Sequence, residues 1–417
     1  MKDLYLKFIQ YILKYYAKKV VLLHRPIVIA ITGSVGKTST KEAIYQVLKS
    51  EYGDKVRSTK GNLNAEFGIP LTILGYSKMP NKFIWPVFLL LAYFRTNIKK
   101  YPKYLVLEMG VDKPGDMGYY TQIVKPDYAV ITSTTPAHMA NFETVSDYQK
   151  EKISLINFLK EDGIAIVNYD DEKLGQLTGR RIVTVGAGEG KPDYKAEIIS
   201  TSLAGTEFRI NSVGYKVAVK SKMIGNQFVY ANLFAFAIAK IFGINLIKAA
   251  KSLEKIKRAP GRMNLIKGIK NSLIIDDSYN SNPTSLKAAL DLIKHVKHNG
   301  RKVAILGNMN ELGNMEKESH LMAGAMTKDI VDLAIFVGKN AENMLEGYKD
   351  KQSCLIYRNR TELEASLPGL IKENDLILVK ASQNNNFFEE IVKKIMLEPE
   401  KSDRLLVRQN RMWASKK

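Results

Sequence analysis

The stretch Ile27–Thr40, IVIAITGSVGKTST, decides the reading of this chain. An apolar, largely β-branched run from Ile27 to Thr32 reads as a buried strand, a turn carrying Gly33 and Gly36 follows it, and a helix is expected from near Lys37. The two glycines let the backbone curl so that successive N–H groups point inward at phosphate oxygens, while the following helix presents its positive end. In such a cup Ser34 and Ser39 line the phosphates, Lys37 reaches the β and γ phosphates, and Thr38 is placed to hold Mg²⁺. The general form of this loop has a glycine where Ile31 stands here. A nucleoside triphosphate is the ligand this pattern points to.

Outward from that loop, short β-branched runs alternate with helical segments, the signature of a parallel sheet covered by helices. Strands are expected at Ile27–Thr32, Tyr104–Glu108, Tyr128–Thr132 and Ile164–Asn168. From Arg181 to Lys222 the texture shifts to strands punctuated by Gly and Asn, which reads as a small antiparallel addition, and helices follow at about 227–242 and 246–257. Pro260-Gly261 is a turn signal and the expected domain junction. A second α/β series has strands near Ser272–Asp276, Lys302–Leu306, Leu333–Val337 and Leu376–Lys380. The fold class is therefore α/β: a basic N-terminal helix over residues 1–25, a P-loop domain over 26–260 with a mostly parallel sheet, and a Rossmann-like C-terminal domain over 261–417.

Composition narrows the function. With 417 residues, 45% hydrophobic and 25% charged, the chain can bury several cores, which excludes a disordered or fibrous protein. Its 63 Lys and Arg against 42 Asp and Glu leave a net charge of +21, which favours an anionic partner. Nucleic acid is not expected, because outside the N-terminal helix the lysines are dispersed and not interleaved with stacking aromatics. One cysteine, Cys354, and five histidines speak against an internal disulfide and a zinc enzyme, and point to a reducing cytoplasm.

Two segments are unusual for a soluble enzyme. Between residues 3 and 19 the polar positions Lys7, Gln10, Lys14 and Lys18 recur at steps of three and four, leaving a wide face of Leu6, Phe8, Ile9, Ile12, Leu13 and Tyr16. Phe83 to Phe94 is a run of apolar and aromatic residues that is too short to span a bilayer. Each reads either as a face buried against the rest of the protein or as an anchor lying on the inner face of a membrane.

Other candidate residues sit at strand ends. Glu108 closes the strand in LVLEMG, at the rim where open parallel sheets present ligand residues, and a carboxylate there can hold Mg²⁺. His138, in TSTTPAHMANF, lies at the end of the next strand, and Lys150 and Lys152 follow on a helix. Taken singly, each has an ordinary structural reading: a surface acid, a core histidine, a solvated face.

Together, however, these segments resemble one family, the Mur ligases, over residues 26–417. The motifs that carry the resemblance are TGSVGKTST at 32–40, GNLNAEFGIPLTIL at 61–74, LEMGVDKPGDM at 107–117, TPAHMANF at 135–142, GRM at 261–263, IIDDSYNSNPTSLKAAL at 274–290 and LGNMNELG at 306–313. The DDSYNSNP stretch is most like the branch that adds the terminal D-alanyl-D-alanine. The resemblance implies an ATP-dependent ligase that activates a peptide carboxylate of the peptidoglycan precursor as an acyl phosphate, which the amine of the dipeptide then attacks. It implies that Gly33, Gly36, Lys37 and Thr38 cradle ATP, that Thr38 and Glu108 hold Mg²⁺, and that His138 holds a second metal ion. It places a carbamylated lysine at Lys152, with Lys150 as the alternative. Arg262 would reach the phosphates from the second domain, Asp277 and Asn280 would line the nucleotide side, and Asn62, Asn64, Tyr279, Asn282 and Lys380 would face the substrates. A monomer that closes about Pro260-Gly261 is expected.

Several positions depart from the family pattern: Gln227 and Phe228 stand for a His-Asn pair, Ala65 for asparagine, Asn308 for aspartate, and Ala381 and Gln383 for Gly and Arg. About 25 residues precede the P-loop strand, where the family usually carries a domain that binds the UDP part of its precursor. The resemblance therefore leaves three routes open: other surfaces hold the nucleotide sugar, the precursor lacks UDP, or the first helix meets a membrane-linked form. A related ligase acting on a different carboxylate, and a P-loop binding module without ligase activity, are the competing readings.

Overall fold

In the computed structural model, residues 2–81, 84–137, 139–179, 181–383, 386–410 and 413 are described. A helix over Lys2–His24 opens the chain. The strands, in chain order, are β1 (Ile27–Thr32), β2 (Val56–Ser58), β3 (Tyr104–Glu108), β4 (Tyr128–Ile131), β5 (Ile164–Asn168), β6 (Ile182–Gly186), β7 (Tyr194–Ser202), β8 (Gly205–Ser212) and β9 (Tyr215–Ser221). They form one sheet in the order β2-β3-β1-β4-β5-β6-β7-β8-β9. The pairings from β2 to β7 are parallel, and β7-β8 and β8-β9 are antiparallel. The segment from Arg181 to Lys222, foreseen as an antiparallel addition, is an extension of the main sheet whose first strand, β6, is parallel to both β5 and β7, so the antiparallel part begins only with the pairing of β7 and β8.

The chain leaves β1 toward β2 and β3 on one side and then crosses to β4 on the other, so the carboxyl end of β1 is a topological switch point, where open α/β sheets bind ligands. Both faces of β1 are covered. Ile29 and Ile31 pack on the helices Lys37–Tyr52 and Asn226–Ile241, while Val28 and Ala30 pack beneath the N-terminal helix and Gly68–Ile73. This double burial explains an apolar run without alternation. The helix Asn226–Ile241 is apolar nearly all round because it is enclosed, with Leu233, Phe234 and Phe236 almost inaccessible.

The second sheet has strands β10 (Asn264–Lys267), β11 (Leu273–Asp277), β12 (Lys302–Gly307), β13 (Leu333–Val337), β14 (Cys354–Tyr357) and β15 (Leu376–Lys380) in the order β10-β11-β15-β12-β13-β14. All pairings are parallel except β10 with β11. The link between the two lobes is fixed at Gly261, whose φ of 67° favours glycine and whose N–H donates to the Asp276 carboxylate at 2.9 Å. Its own carbonyl accepts from the Tyr279 N–H at 3.0 Å.

The first helix corrects one sequence expectation. Its inward row is Ile9, Leu13, Ala17 and Val20, all buried, whereas Phe8, which the periodicity grouped with Ile9 and Leu13, is exposed. Lys14 is held against the body by a 2.5 Å hydrogen bond to Gln122 and lies over the Tyr119 ring. Residues 85–94 of the second apolar segment fall in the helix Trp85–Arg95, with Trp85, Phe88 and Ala92 turned inward, while Phe83 lies outside the described residues.

Candidate active site

The loop after β1 is shaped by its contact with the neighbouring strand end. Gly33 has φ 141°, and a Cβ there would stand 2.1 Å from Thr132 Oγ1, so only glycine lets the loop lie against β4. The Ser34 N–H donates to the Ser133 carbonyl at 2.9 Å, and Thr132 Oγ1 donates to the Val35 carbonyl at 2.6 Å. Gly36, at φ 86°, precedes the helix that begins at Lys37 and leaves its leading N–H groups outside the intrahelical ladder. This is a backbone cup with a helix N-terminus at its floor, a site for anionic oxygens.

Two lysines converge on it. Lys37 Nζ donates to the Gly33 carbonyl at 2.5 Å and to the Ser34 carbonyl at 3.2 Å. Burial holds its pKa below the ordinary lysine range, opposed by the Glu108 carboxylate and reinforced by Arg262. Lys152 is completely buried, 3.4 Å from the same Gly33 carbonyl, with its Nζ 4.4 Å from the centre of the Tyr148 ring. Burial first, and the nearby Lys37 charge second, push its pKa well below the ordinary value, because both penalise the charged form. Lys150 behaves differently: it is exposed and pairs with Asp147 at 3.8 Å, away from the cup.

Across the cup, Thr38 Oγ1 donates to Glu108 Oε1 at 3.0 Å and Asn64 Nδ2 donates to the same oxygen at 3.1 Å. Glu108 is buried, and its Oε2 has no hydrogen-bond partner. A buried carboxylate oxygen left unpaired beside a hydroxyl fits a hard cation, which prefers oxygen ligands. Among the described residues no group of three His, Cys, Asp or Glu side chains comes together, so a cation there would complete its shell with phosphate and water. His138 lies outside the described residues.

The second lobe closes over this arrangement. Arg262 donates to Thr38 Oγ1 at 3.3 Å, and its guanidinium lies 4.1 Å from the centre of the Tyr279 ring. Tyr279 in turn donates from its hydroxyl to Asn62 Oδ1 at 2.6 Å. Two bonds therefore span the lobes at the mouth of the cup. Lys380, buried at the end of β15, sits 2.5 Å from Asp277 Oδ2 and 3.0 Å from the Asn280 carbonyl, so its charge is already matched by a carboxylate. Asn282 lines the cleft, but its side-chain oxygen accepts from the Ser285 N–H at 2.8 Å and caps the helix Pro283–His295. The cleft encloses about 240 Å³ and is lined from both lobes, by Ser34 to Ser39 and Glu108 on one side and Arg262, Asp277 and Lys380 on the other. A second cavity of about 440 Å³ continues from Thr38, Asn62 and Arg262 to Phe228, Asn232 and Pro260, and is the more apolar side of the mouth. Gln227 and Gln383 also line the cleft.

Models for the Mur ligase middle domain and for the Mur ligase glutamate ligase domain match residues 31–239 and 261–383. The chain belongs to the Mur ligase family. The UDP-N-acetylmuramoyl-tripeptide–D-alanyl-D-alanine ligase of Bacillus subtilis strain 168 is 34% identical over 376 residues, covering 89% of this chain and 76% of that one. The same ligase of Escherichia coli K12 is 28% identical, covering 88% and 76%. Among solved structures, the MurF ligase of Thermotoga maritima in complex with ADP matches at a TM-score of 0.77 and 26% identity, covering 93% of this chain and 84% of its own. MurF of Acinetobacter baumannii matches at 0.75 and 27%, covering 90% and 77%. As a Mur ligase the chain is an ATP-dependent amide ligase with a Mur-type α/β fold.

Three residues of the site were not singled out from the sequence. Tyr148 closes the floor by a 2.9 Å hydrogen bond to Ser34 Oγ, and its signal was its place one helical turn before Lys152. Thr132 fixes the loop from the neighbouring strand, and Asp276 fixes Gly261, but no local pattern separates either from an ordinary strand-end residue.

Proposed function

We propose that this Mur ligase joins D-alanyl-D-alanine to the tripeptide carboxylate of the peptidoglycan precursor UDP-N-acetylmuramoyl-tripeptide, with ATP as the activating substrate and Mg²⁺ as cofactor. The observation that carries the reading is the convergence of Lys37, Thr38, Glu108 and Arg262, from two lobes, on one backbone cup. A carboxylate resists attack by an amine because it is negatively charged and resonance-stabilised. Transfer of the γ-phosphoryl group converts it to an acyl phosphate, and that transfer depends on positioning and charge neutralisation.

In this reading Gly33, Ser34, Gly36 and Ser39 shape the cup, Lys37 leaves its two carbonyls for phosphate oxygens, and Arg262 approaches the transferred group from the second lobe. Glu108 and Thr38 would hold Mg²⁺, which neutralises phosphate charge when bound. Lys152, enclosed and with its pKa lowered by burial, is the lysine suited to capture CO₂ as a carbamate, and the buried position of its amine favours it over exposed Lys150. Asn62, Asn64, Tyr279 and Asn282 form the substrate side and Asn280 the nucleotide side, with Asp277 and Lys380 acting as a matched pair that orders the loop around Asn280. The small-molecule precursor and dipeptide are then the partners, met by a monomer in the cytoplasm.

Measuring ADP release tests the proposal: rapid release requires both the tripeptide precursor and D-alanyl-D-alanine, and indifference to the dipeptide removes it. Ala381 and Gln383, where the family pattern has Gly and Arg, favour a second reading, a ligase of the same architecture using another carboxylate or amine. That reading gains if a different amine supports release.

A further inference from the structure

Two helices on the P-loop lobe are apolar on both of their faces. In the helix Lys2–His24 the inward row of Ile9, Leu13 and Val20 is matched by an outward row of Leu4, Phe8, Tyr11, Tyr15 and Leu22, every one of them exposed. At 3.6 residues per turn the two rows lie about 160° apart. In the helix Trp85–Arg95 the inward residues Trp85, Phe88 and Ala92 are matched by Val87, Leu90, Leu91 and Phe94, each more than half exposed. These four have the spacing of one helical face. The helices pack side by side through Tyr16 and Tyr93, whose ring centres are 6.0 Å apart, with Lys19 Nζ 5.7 Å from the Tyr93 ring. Of the 23 large apolar side chains exposed on the described surface, 15 fall between residues 4 and 98, so the apolar surface is concentrated here and not scattered.

Charge selects the occupant. Residues 4–25 and 76–103 hold eleven Lys and Arg and no Asp or Glu. On the first helix Lys7 and Lys18 flank the outward row on one side and Lys19 on the other, and Lys99 and Lys100 follow the second helix and are exposed. A second copy of the chain on this face would set lysine against lysine. An anionic bilayer surface accepts apolar side chains at its acyl boundary and lysines at its headgroups. No helix among the described residues is long and apolar enough to cross a membrane, and the 11 residues of Trp85–Arg95 make a rod of about 16 Å, suited to lying in the interface.

We propose that the outward faces of Lys2–His24 and Trp85–Arg95 form one docking surface for an anionic phospholipid membrane, which seats the catalytic lobe on the bilayer. The inference is independent of which carboxylate the enzyme activates. The test uses the full chain with sedimenting vesicles of phosphatidylcholine alone or mixed with phosphatidylglycerol. The expected result is binding to the mixed vesicles at least about tenfold stronger than to phosphatidylcholine, weakened several-fold by high salt. Leu90→Glu with Leu91→Glu is expected to lower that binding about tenfold or more, while unfolding temperature and ATP binding stay as in the parent, since both side chains are exposed. Lys18→Ala with Lys99→Ala and Lys100→Ala is expected to remove the preference for phosphatidylglycerol. Failure of the parent chain to sediment with mixed vesicles overturns the proposal, as does undiminished binding by the Leu90 and Leu91 variant. A dimer in sedimentation velocity that this variant splits also overturns it, and assigns the face to a second copy.

Discussion

Gly33→Ala is the substitution whose effect the geometry fixes most directly. The new methyl would stand 2.1 Å from Thr132 Oγ1 and 2.9 Å from the Ser133 nitrogen, on a backbone at φ 141°. The backbone conformation alone disfavours a side chain by about 1–3 kcal/mol. Overpacking against a strand end that cannot retreat adds about 1–3 kcal/mol. The loop can relieve the clash only by drawing away from β4, which breaks the 2.9 Å bond from the Ser34 N–H to Ser133 and displaces the cup. The expected destabilisation is therefore about 2–6 kcal/mol, a fall of at least roughly 4 °C in the unfolding temperature of the ligand-free protein. ATP affinity should drop about a hundredfold, since roughly 2.8 kcal/mol of misplacement suffices for that.

Gly36→Ala is the control. Its φ of 86° carries a similar backbone preference, but the nearest atom to a Cβ there is Thr132 Cβ at 3.9 Å, so the stability loss should be about 1–2 kcal/mol. Thermal unfolding without nucleotide and a fluorescent-nucleotide titration measure both quantities. If Gly33→Ala unfolds within a degree of the parent, or Gly36→Ala is the more destabilised of the two, the argument from close approach to Thr132 is wrong.

Other outcomes follow from the same site. Lys152→Ala should reduce turnover by about a hundredfold or more, with partial recovery on adding short carboxylic acids, while Lys150→Ala stays near the parent in steady-state ADP release. Arg262→Ala should lower kcat by about 10²–10³ and change ATP affinity far less, and Arg262→Lys should recover little because the guanidinium also stacks on Tyr279, which single-turnover kinetics can resolve. Burial pushes the Asp276 pKa up to about 6 from an ordinary 3.8, so the folded state binds the proton more tightly than the unfolded one. This residue therefore destabilises the fold by about 3 kcal/mol at pH 7, a penalty that shrinks as pH falls through 6 and is gone below about 4. Denaturant unfolding at pH 5 and pH 7 should show Asp276→Asn lacking that contribution, and an unchanged pH slope would contradict it.

Much of the architecture was written in local pattern. The eight parallel strands foreseen from β-branched runs appear within a residue or so of their expected ends, because each is buried on both faces and so carries a continuous apolar signal. The three residues of β2 and the four each of β10 and β14 were not foreseen, since so short a run has no period to detect. The phosphate cup was legible because glycine spacing and a following helix encode it locally. What lies across the chain was not: that Asp277 neutralises Lys380 over 103 positions depends on β11 lying beside β15 in one sheet, and that Tyr279 reaches Asn62 over 217 depends on how two sheets meet. The first helix shows a subtler limit. A period of 3.6 reports that residues share a face, but a helix apolar on two opposite faces gives no sign of which one the protein keeps for itself.

The carbonyl of Gly33 accepts from both Lys37 and Lys152. Two lysine amines sharing one oxygen in an enclosed space behave as rivals for protonation, and whatever draws Lys37 outward changes the acidity felt by its rival. Were CO₂ captured at Lys152, as proposed above, that position would turn from a competitor into an anion that attracts Lys37. Under that proposal, reciprocity would require nucleotide and dissolved bicarbonate to appear in each other's binding isotherms. An ATP dissociation constant for this enzyme would then be a curve over carbon dioxide content, and two laboratories with differently degassed buffers would measure different points on it.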